Sequence, residues 1–378
     1  MKEKIYLASP HMSDEGYEKE YVNEAFETNW IAPLGENVNK FEEELCAYVG
    51  SQNGAALSAG TAAIHMALKA TGVEKDDIVF CSSLTFSASA NPIIYQNATP
   101  VFIDSEKETW NMDPEALKKA FEKYPNPKAV IVVHLYGNPS KMDEIVKICA
   151  EHNTTLIEDA AEGLGSTYKG KFLGTFGKYG VFSFNGNKII TSSGGGMLVS
   201  NDKERIEKVR FWVTQARDKA RHYQHSEIGY NYRMSNVCAG IGRGQLKVLE
   251  KRVEQKTNIY NTYKEAFKDI KDITLQPVVE NTRPNHWLSC IQINENSNVK
   301  PIQIMEALEK ENIESRPVWK PMHMQPIFEK YDFITTRTNG SNAEELFQNG
   351  VCLPSDTKMT KEQQELVIET IKTYFKME

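Results

Sequence analysis

Residues 129–160, AVIVVHLYGNPSKMDEIVKICAEHNTTLIEDA, decide the fold class of this chain. Two short apolar runs, AVIVVHLYG at 129–137 and TTLIEDA at 154–160, predict β-strands. The segment between them, KMDEIVKICAEH at 141–152, has the spacing of an amphipathic helix. Apolar runs rich in Val and Ile that lack polar alternation are typical of strands covered on both faces. The stretch therefore predicts one strand–helix–strand unit of a parallel sheet.

The same rhythm continues on both sides of this unit. Further strands are predicted at DIVFCSS (77–83), TPVFID (99–104) and YGVFSF (179–184), and helices at TAAIHMALKA (61–70) and DPEALKKAFEKY (113–124). Strands that alternate with helices form a mainly parallel sheet, with helices on both faces and right-handed crossovers. We therefore predict an α/β fold.

The pattern changes after about residue 200, which predicts a second, smaller domain. Long helical segments are predicted at 203–220 and 235–270, followed by a strand at HWLSCIQI (286–293) and a closing helix at 361–376. We therefore predict a large domain over residues 1–250, which includes N-terminal helices, and a smaller α+β domain over residues 251–378.

Composition excludes several classes of function. The 378 residues carry a net charge of -7, with 40% hydrophobic and 25% charged residues, which is typical of a soluble globular protein. An acidic balance argues against nucleic acid and anionic membranes as partners. No apolar run reaches the ~20 residues needed to span a bilayer, and MKEKIYLASPHMSDEG lacks the apolar core of a signal peptide. The six scattered cysteines have no metal-binding spacing. We expect a cytoplasmic protein with reduced thiols and no metal site.

Candidate site residues follow the predicted strands, because ligands of open α/β sheets bind at the carboxyl ends of the strands. The chemically active side chains at these ends are Glu158 with Asp159, His134 with Tyr136, and Ser183 with Asn185 and Lys188. A turn of small residues, Ser58 to Thr61, stands directly before a predicted helix, where free N–H groups can bind phosphate.

Together these residues match the requirements for binding pyridoxal 5'-phosphate (PLP): an imine-forming lysine, a carboxylate for the ring nitrogen, a phosphate cradle and a stacking ring, here Phe86. Each feature also has a structural interpretation. The turn before the helix can be a simple cap, Phe86 a core residue, and His134 a hydrogen-bonded structural histidine. The residue chemistry alone leaves both interpretations open.

Several longer segments carry a family resemblance. They are SAGTAAIHMAL (58–68), LTFSASANPIIYQNATPVFID (84–104), VVHLYGNPSKMDEI (132–145), LIEDAAEGLGSTYKGKFLGTFGKYGVFSFNGNKIITSSGGGML (156–198) and GYNYRMSNVCAGIGRGQL (229–246). They resemble the sugar-nucleotide aminotransferases of the DegT/DnrJ/EryC1/StrS family, which are PLP-dependent enzymes of fold-type I. The resemblance covers nearly the whole chain and implies a fold-type I PLP-dependent transferase.

The resemblance also implies a role for each candidate residue. Lys188 is the imine-forming lysine, and Asp159 partners the pyridinium nitrogen. The remaining cofactor contacts that it implies are Gly60, Thr61 and Ser183 at the phosphate with Asn185 beside them, Phe86 on the ring, Glu162 near the phenolic oxygen, and Asn231 at the phosphate of a neighbouring subunit. Two chains would then complete each site, as a homodimer. Arg233, Arg316 and His323 are candidate contacts to the nucleotide-sugar or the amino donor.

Two features narrow the implied reaction. Lys188 stands where some relatives carry histidine and catalyse dehydration, so transamination is favoured. Gly194 stands in TSSGGGM where many relatives have an acid. With WIAPLGE and ESRPVWKPMHMQP, this variant resembles the branch that makes UDP-4-amino-sugars of the bacillosamine type. The implied substrates are L-glutamate and a UDP-linked 4-keto-6-deoxy N-acetylhexosamine, with GDP- and dTDP-linked keto sugars as alternatives.

Three other functions were considered. A nicotinamide oxidoreductase would need a glycine fingerprint after a strand, whereas Gly240, Gly242 and Gly244 lie within a predicted helix and lack its spacing. We expect these glycines to allow close helix packing. A PLP-dependent dehydratase is disfavoured by Lys188, and a non-enzymatic PLP-binding sensor by the absence of a basic DNA-binding appendage in this sequence.

Overall fold

The computed structural model of the protein describes residues 3–375. An eight-stranded sheet forms its centre, in the order β1-β9-β8-β5-β4-β2-β3-β14. These strands are β1 (Asn53–Leu57), β2 (Ile78–Ser82), β3 (Thr99–Ile103), β4 (Ala129–Val133), β5 (Thr155–Asp159), β8 (Tyr179–Ser183), β9 (Gly196–Ser200) and β14 (Phe333–Ile334). All neighbouring pairs are parallel except the two that involve β9. The predicted α/β class with a mainly parallel sheet is confirmed.

Three strands of the central sheet, β1, β9 and β14, were not predicted from the sequence. The segment of β1, NGAAL, is made mostly of small residues, and β9, GMLVS, begins at the last of the three glycines. Both are buried through pairing with each other, which local composition does not reveal. The predicted strand 129–137 is also shorter, because β4 ends at Val133 and a 3-10 turn follows at Leu135–Gly137.

Twelve helices lie among the described residues. They are α1 (Tyr17–Glu27), α2 (Glu36–Val49), α3 (Gly60–Thr71), α4 (Asn91–Tyr95), α5 (Pro114–Lys123), α6 (Met142–Glu151), α7 (Lys203–Val213), α8 (Asn236–Leu246), α9 (Leu249–Phe267), α10 (Pro301–Lys310), α11 (Asn342–Asn349) and α12 (Lys361–Phe375). Apolar clusters pack on the two faces of the sheet, one of them built around α3, whose residues are almost all buried. No helix among the described residues combines the length and apolar character that crossing a bilayer requires.

The predicted long helices are interrupted. The segment 203–220 is helical only to Val213, because Gln215 and Ala216 adopt positive φ angles of 63° and 50°. The segment 235–270 divides into α8 and α9 at a turn formed by Lys247 and Val248. Helical periodicity continues through both breaks, so it could not reveal them.

The glycines of α8 allow close helix packing, as predicted. A Cβ atom at Gly242 would lie 2.7 Å from the Phe41 ring of α2, and one at Gly244 would lie 2.5 Å from the backbone of Glu18 in α1. Real Cβ atoms do not approach other atoms this closely, so larger residues would push the helices apart. The packing assignment for these glycines is confirmed.

The C-terminal part contains a four-stranded antiparallel sheet in the order β10-β12-β15-β13, with its own apolar cluster. Its strands are β10 (Ile273–Leu275), β12 (Ser289–Ile293), β13 (Arg316–Pro317) and β15 (Gly350–Leu353). A small sheet in the order β11-β6-β7 joins β6 (Thr167–Tyr168), β7 (Lys171–Phe172) and β11 (Thr282–Arg283). The division at residue 250 stays a proposal. Two segments cross it: Ile5 pairs with a residue of the C-terminal part, and β14 of the C-terminal part joins the central sheet.

Candidate active site

A cavity of about 350 Å³ opens at the carboxyl ends of β4, β5 and β8. It is bounded on one side by the start of α3 and on the other by the loop that carries Lys188. The side chains predicted from the sequence that line it are Gly60, Thr61, Phe86, Asp159, Glu162, Ser183, Asn185 and Lys188. The topology brings together residues that are up to about 130 positions apart in the chain, at the edge of the sheet where α/β proteins bind ligands.

Lys188 extends from the loop after β8 into this cavity. Its backbone N–H donates to the carbonyl of Asn185 at 3.0 Å, which closes a tight turn. Its Nζ lies 3.4 Å from Oε1 of Glu162 and 4.1 Å from the centre of the Trp287 ring. Only 12% of the side chain is exposed. The Lys188 amine is therefore directed into the cavity and largely shielded from solvent.

Glu162 is buried beside this amine. Burial raises the pKa of Glu162 to about 7, although the charge of Lys188 and the backbone N–H of Tyr136 pull it down. The Tyr136 N–H donates to Oε2 at 2.6 Å, so one carboxyl oxygen is fixed and the other faces Lys188. A carboxyl group of this kind can hold or release a proton near neutral pH.

Asp159 ends β5 and is also buried. Its Oδ2 accepts a hydrogen bond from Ser89 Oγ at 2.6 Å, and its Oδ1 accepts from the Ala161 N–H at 3.1 Å. Ser89 is in turn bonded to Thr85 at 2.6 Å. Within residues 3–375 this carboxylate forms hydrogen bonds but no ion pair, so it can pair with a cationic group that enters the cavity.

The start of α3 supplies an anion site. Its N-cap residue Ala59 is extended, and no side chain caps the helix. Gly60 packs against Ser183, since a Cβ atom at Gly60 would lie 3.0 Å from Ser183 Cβ. The free N–H groups of the first helical turn and the Ser183 hydroxyl therefore line the same cavity, and the positive end of the helix dipole favours an anion there.

Aromatic side chains form one wall of the cavity. Phe86 is 58% exposed in spite of its apolar ring, and its ring centre lies 5.5 Å from that of Trp319. Trp287 completes the wall. Phe86 is therefore available for stacking, and its interpretation as a core residue is wrong.

A second cavity of about 430 Å³ adjoins the first. The two share Phe86, Asn187, Trp287 and Trp319. The second extends to Arg316, whose guanidinium group is exposed and paired with Glu314 at 2.8 Å. A ligand longer than the first cavity can therefore continue along this aromatic wall toward a cation.

Of the contacts that the family resemblance implies, three line neither cavity. Arg233 is buried in an ion pair with Glu42 and donates to the Ala56 carbonyl, so its charge is already used. The His323 ring is bonded to Ser83 at 2.7 Å and Glu344 at 3.2 Å and is stacked on Phe333. Neither lines the adjoining cavity. Both side chains are therefore engaged within the chain and outside the two cavities, and their roles as substrate contacts stay predictions.

Asn231 is the third of these residues. It is exposed, and its Oδ1 accepts a hydrogen bond from Gln215 at 3.2 Å. Its predicted contact with a neighbouring subunit stays a prediction.

His134 has a structural role. It is fully buried, with Nε2 3.1 Å from Glu158 and Nδ1 accepting from the Ser140 N–H. The interpretation as a hydrogen-bonded structural histidine is confirmed.

Sequence reasoning missed four side chains of the site. They are Thr85 and Ser89, which support Asp159, and Trp287 and Trp319, which form the wall. Ser89 and Thr85 flank Phe86 in LTFSASAN, so their nearness to a predicted site residue was an available signal. Trp319 lies three positions after the predicted Arg316, which was a similar signal, whereas Trp287 had none.

The donor set fits PLP. An uncapped helix start beside a hydroxyl suits the phosphate, an unpaired buried carboxylate suits a protonated ring nitrogen, and a directed lysine suits the aldehyde. A nicotinamide site would instead need a glycine-rich turn after a strand, and the glycines of α8 are used in helix packing.

Comparisons with known proteins agree with this geometry. The profile of the DegT/DnrJ/EryC1/StrS aminotransferase family matches residues 13–372. EpsN of Bacillus subtilis (strain 168), named as a pyridoxal phosphate-dependent aminotransferase, is 52% identical over 98% of this chain and 96% of its own. GDP-perosamine synthase of Escherichia coli O157:H7 is 37% identical over 95% and 96%. A crystal structure of a DegT DnrJ EryC1 StrS aminotransferase from Brucella abortus is 27% identical, with a TM-score of 0.87 and 95% of both chains covered.

Proposed function

We propose, because the chain belongs to the DegT/DnrJ/EryC1/StrS aminotransferase family, that it moves an amino group from L-glutamate to the C4 ketone of UDP-2-acetamido-2,6-dideoxy-hexos-4-ulose. The product would be a UDP-4-amino-sugar for surface polysaccharide synthesis. The class of enzyme, a PLP-dependent sugar-nucleotide aminotransferase, is shown by the family and its named members. The observation that carries the proposal is the amine of Lys188, held beside Glu162 in a cavity with an anion site and an unpaired carboxylate.

PLP, when bound, supplies an electron sink that makes the C–H bond next to the amino nitrogen acidic. Asp159 would maintain that capacity by favouring a proton on the ring nitrogen, because it is a buried carboxylate without a cation of its own. The Gly60–Thr61 backbone and Ser183 would hold the phosphate, and Phe86 would stack on the ring. Lys188 is then the basic group of the cavity that is left for proton transfer.

Lys188 is the group that moves the proton. With PLP held in this cavity, the free Lys188 Nζ would be the group that accepts the proton of the substrate C–H bond and gives it back. Glu162, whose pKa burial raises to about 7, lies 3.4 Å from this nitrogen and can share the proton. The same two residues serve both the donor and the acceptor, which predicts ping-pong kinetics.

The adjoining cavity supports the choice of a nucleotide-linked acceptor. It continues from the Lys188 cavity along Trp287 and Trp319 and ends at the exposed Arg316. A nucleotide-linked sugar bound along both cavities would have its ketone near Lys188 and its diphosphate near a cation that can bind it in a bidentate manner. Glutamate is small enough to occupy the first cavity alone.

Two further parts of the proposal concern assembly and location. Asn231 is exposed and lies outside the cavity of its own chain, so we assign it to the phosphate site of a second copy in a homodimer. We place the enzyme in the cytoplasm, where nucleotide sugars are the expected substrates of this family.

A GDP-linked keto sugar is the second candidate acceptor, because a relative 37% identical to this chain is named GDP-perosamine synthase. The site residues discussed above act on the cofactor and the ketone and do not select the base. A dTDP-linked sugar is the third candidate.

Sequential spectroscopy of the purified holoenzyme tests the function. L-glutamate should bleach the yellow absorbance of the lysine-linked cofactor, and one nucleotide keto sugar should restore it. Recovery with the UDP-linked ketone alone supports the proposal, and recovery with the GDP- or dTDP-linked ketone alone overturns the choice of acceptor. Failure of glutamate to bleach the band, with another amino acid succeeding, overturns the choice of donor.

A further inference from the structure

Trp287 contacts the backbone that precedes Lys188 and also the Lys188 amine, although it is 99 positions away from Lys188 in the chain. Its indole Nε1–H donates to the carbonyl of Asn187 at 2.7 Å, which fixes the backbone immediately before Lys188. Its ring centre lies 4.1 Å from Lys188 Nζ. One side chain therefore contacts both the backbone next to Lys188 and the amine at the end of its side chain.

Trp287 is itself held rigidly. It is 3% exposed, its backbone N–H donates to Asn285 Oδ1 at 2.8 Å, and its carbonyl accepts from Lys256 Nζ at 3.0 Å. Lys256 is buried in α9 and donates also to the Ser355 carbonyl at 2.7 Å. The indole is therefore anchored to the C-terminal part of the chain.

The same segment also holds Glu162. The Asn285 side-chain amide donates to the carbonyls of Glu162 at 2.7 Å and Leu164 at 2.8 Å. Asn285 thus links the backbone of Trp287 to the turn that carries Glu162. The two groups that flank the Lys188 amine, a carboxyl and an aromatic face, are fixed relative to each other by one buried asparagine.

We propose that Trp287 is a positioning residue that holds the Lys188 amine in the cavity whenever the lysine is not linked to the cofactor. The inference rests on the proposed function in one respect, that Lys188 is the residue that forms the link. A free lysine side chain has many rotamers, and ordering it costs conformational entropy. The indole face and Glu162 together offset this cost, because a charged amine is attracted to both.

The proposal concerns a defined covalent step. The link forms when Lys188 Nζ attacks the aldehyde carbon of PLP, and one water molecule leaves. An amino donor reverses this link by replacing Lys188 Nζ with its own nitrogen, which returns the free amine to the cavity. Trp287 is expected to speed the return of the lysine and to leave the binding of PLP itself to Asp159, Ser183 and the start of α3.

Two substitutions separate the contributions of Trp287. Trp287→Phe keeps an aromatic face below Nζ and removes the indole hydrogen bond to Asn187. Trp287→Leu removes both while keeping an apolar side chain in the core. The matched control is Trp212→Phe, because Trp212 is buried outside the cavity and its Nε1–H donates to Glu227 at 2.8 Å.

The measurement uses the holoenzyme purified with excess PLP. Borohydride reduction followed by mass spectrometry of the peptides gives the fraction of bound PLP linked to Lys188. Stopped-flow absorbance gives the rate at which the link re-forms when enzyme first converted to its amine form with L-glutamate is mixed with excess 2-oxoglutarate, because the keto acid takes back the amino group and restores the aldehyde to which Lys188 can link. Total bound PLP, measured after alkaline release, checks that each variant is folded and binds the cofactor.

We expect total PLP binding within about twofold of wild type in all three variants. The rate of re-linking should fall about tenfold in Trp287→Leu and less in Trp287→Phe, and should be unchanged in Trp212→Phe. Equal re-linking rates in wild type and Trp287→Leu, with PLP bound, overturn the inference. A Trp287→Leu protein that does not fold is replaced by Trp287→Phe, for which a wild-type rate together with a wild-type linked fraction overturns the role of the hydrogen bond.

Failure of the proposed function gives a different result. If borohydride labels a residue other than Lys188 in the wild-type protein, the assignment of Lys188 is wrong whatever the variants do. If Lys188 is labelled in wild type and the variants re-link normally, only the role of Trp287 is wrong.

Discussion

Replacement of Glu162 by glutamine should remove a pH dependence of the free energy of unfolding that arises from the burial of this carboxyl group. Glu162 is buried, and burial raises its pKa from 4.5 to about 7 in the folded chain. In the unfolded chain the carboxyl is solvated and keeps the lower value. Between these two pH values the folded state holds a proton that the unfolded state has released.

The sign and size of the effect follow from this difference. The free energy of unfolding falls as pH rises from 4.5 to 7, because deprotonation favours the unfolded chain. The slope is about 1.4 kcal/mol per pH unit between the two pKa values. The titration of Glu162 therefore makes the free energy of unfolding about 3 kcal/mol lower above pH 7 than below pH 4.5. Glu162→Gln keeps the shape and a carbonyl oxygen for the Tyr136 N–H, so the variant should lack only this dependence.

The assay is urea unfolding of the cofactor-free chain at several pH values from 5 to 8, for wild type and Glu162→Gln. Other groups titrate in this window, because burial lowers the pKa of His65 and of His286 to about 4, which makes stability rise with pH up to about 6.5. Both proteins carry these histidines, so the difference between the two curves isolates Glu162. The matched control is Glu309→Gln, at an exposed carboxyl on α10.

The expected result is that wild type loses about 2.5 kcal/mol relative to Glu162→Gln between pH 5 and 8, with most of the change below pH 7. Curves that stay parallel within about 0.5 kcal/mol would refute the reasoning, because they would show that Lys188 keeps Glu162 ionised despite its burial.

Three further predictions concern Lys188, Ser89 and Gly242. Lys188→Ala should abolish amino transfer and the absorbance of the linked cofactor while PLP still binds non-covalently; near-normal turnover in the variant would overturn its role. Ser89→Ala should lower kcat about tenfold by removing the 2.6 Å hydrogen bond to Asp159, with little change in KM for glutamate; steady-state kinetics with an unchanged kcat would contradict this. Gly242→Ala should destabilise the chain by about 1–3 kcal/mol because the new methyl group would lie 2.7 Å from the Phe41 ring. An unchanged urea midpoint would contradict this, because it would show that α2 can shift away from α8 with no loss of stability.

Local patterns were sufficient for the fold class and for gathering the candidate residues at one edge of the sheet, whereas the family resemblance was needed to choose a PLP site among the interpretations that the residues left open. Apolar runs such as AVIVV are typical of a covered parallel sheet, and parallel strands collect their carboxyl ends at one edge. The positions of Asp159 and Ser183 at that edge therefore follow from their places in the sequence. Lys188 follows the same strand after a tight turn, so it could be placed in the cavity by the same rule.

The tertiary structure alone decided which side chains line the cavity around Lys188 and which form contacts elsewhere. Arg233 is neutralised by Glu42, 191 positions earlier, and Trp287 reaches the backbone beside Lys188 across 100 positions. The raised pKa of Glu162 likewise depends on burial that its local sequence does not encode. The physical reason is the range of the interactions: strand formation and chain direction depend on neighbouring residues, whereas burial, ion pairing and desolvation depend on the packing of segments far apart in the chain.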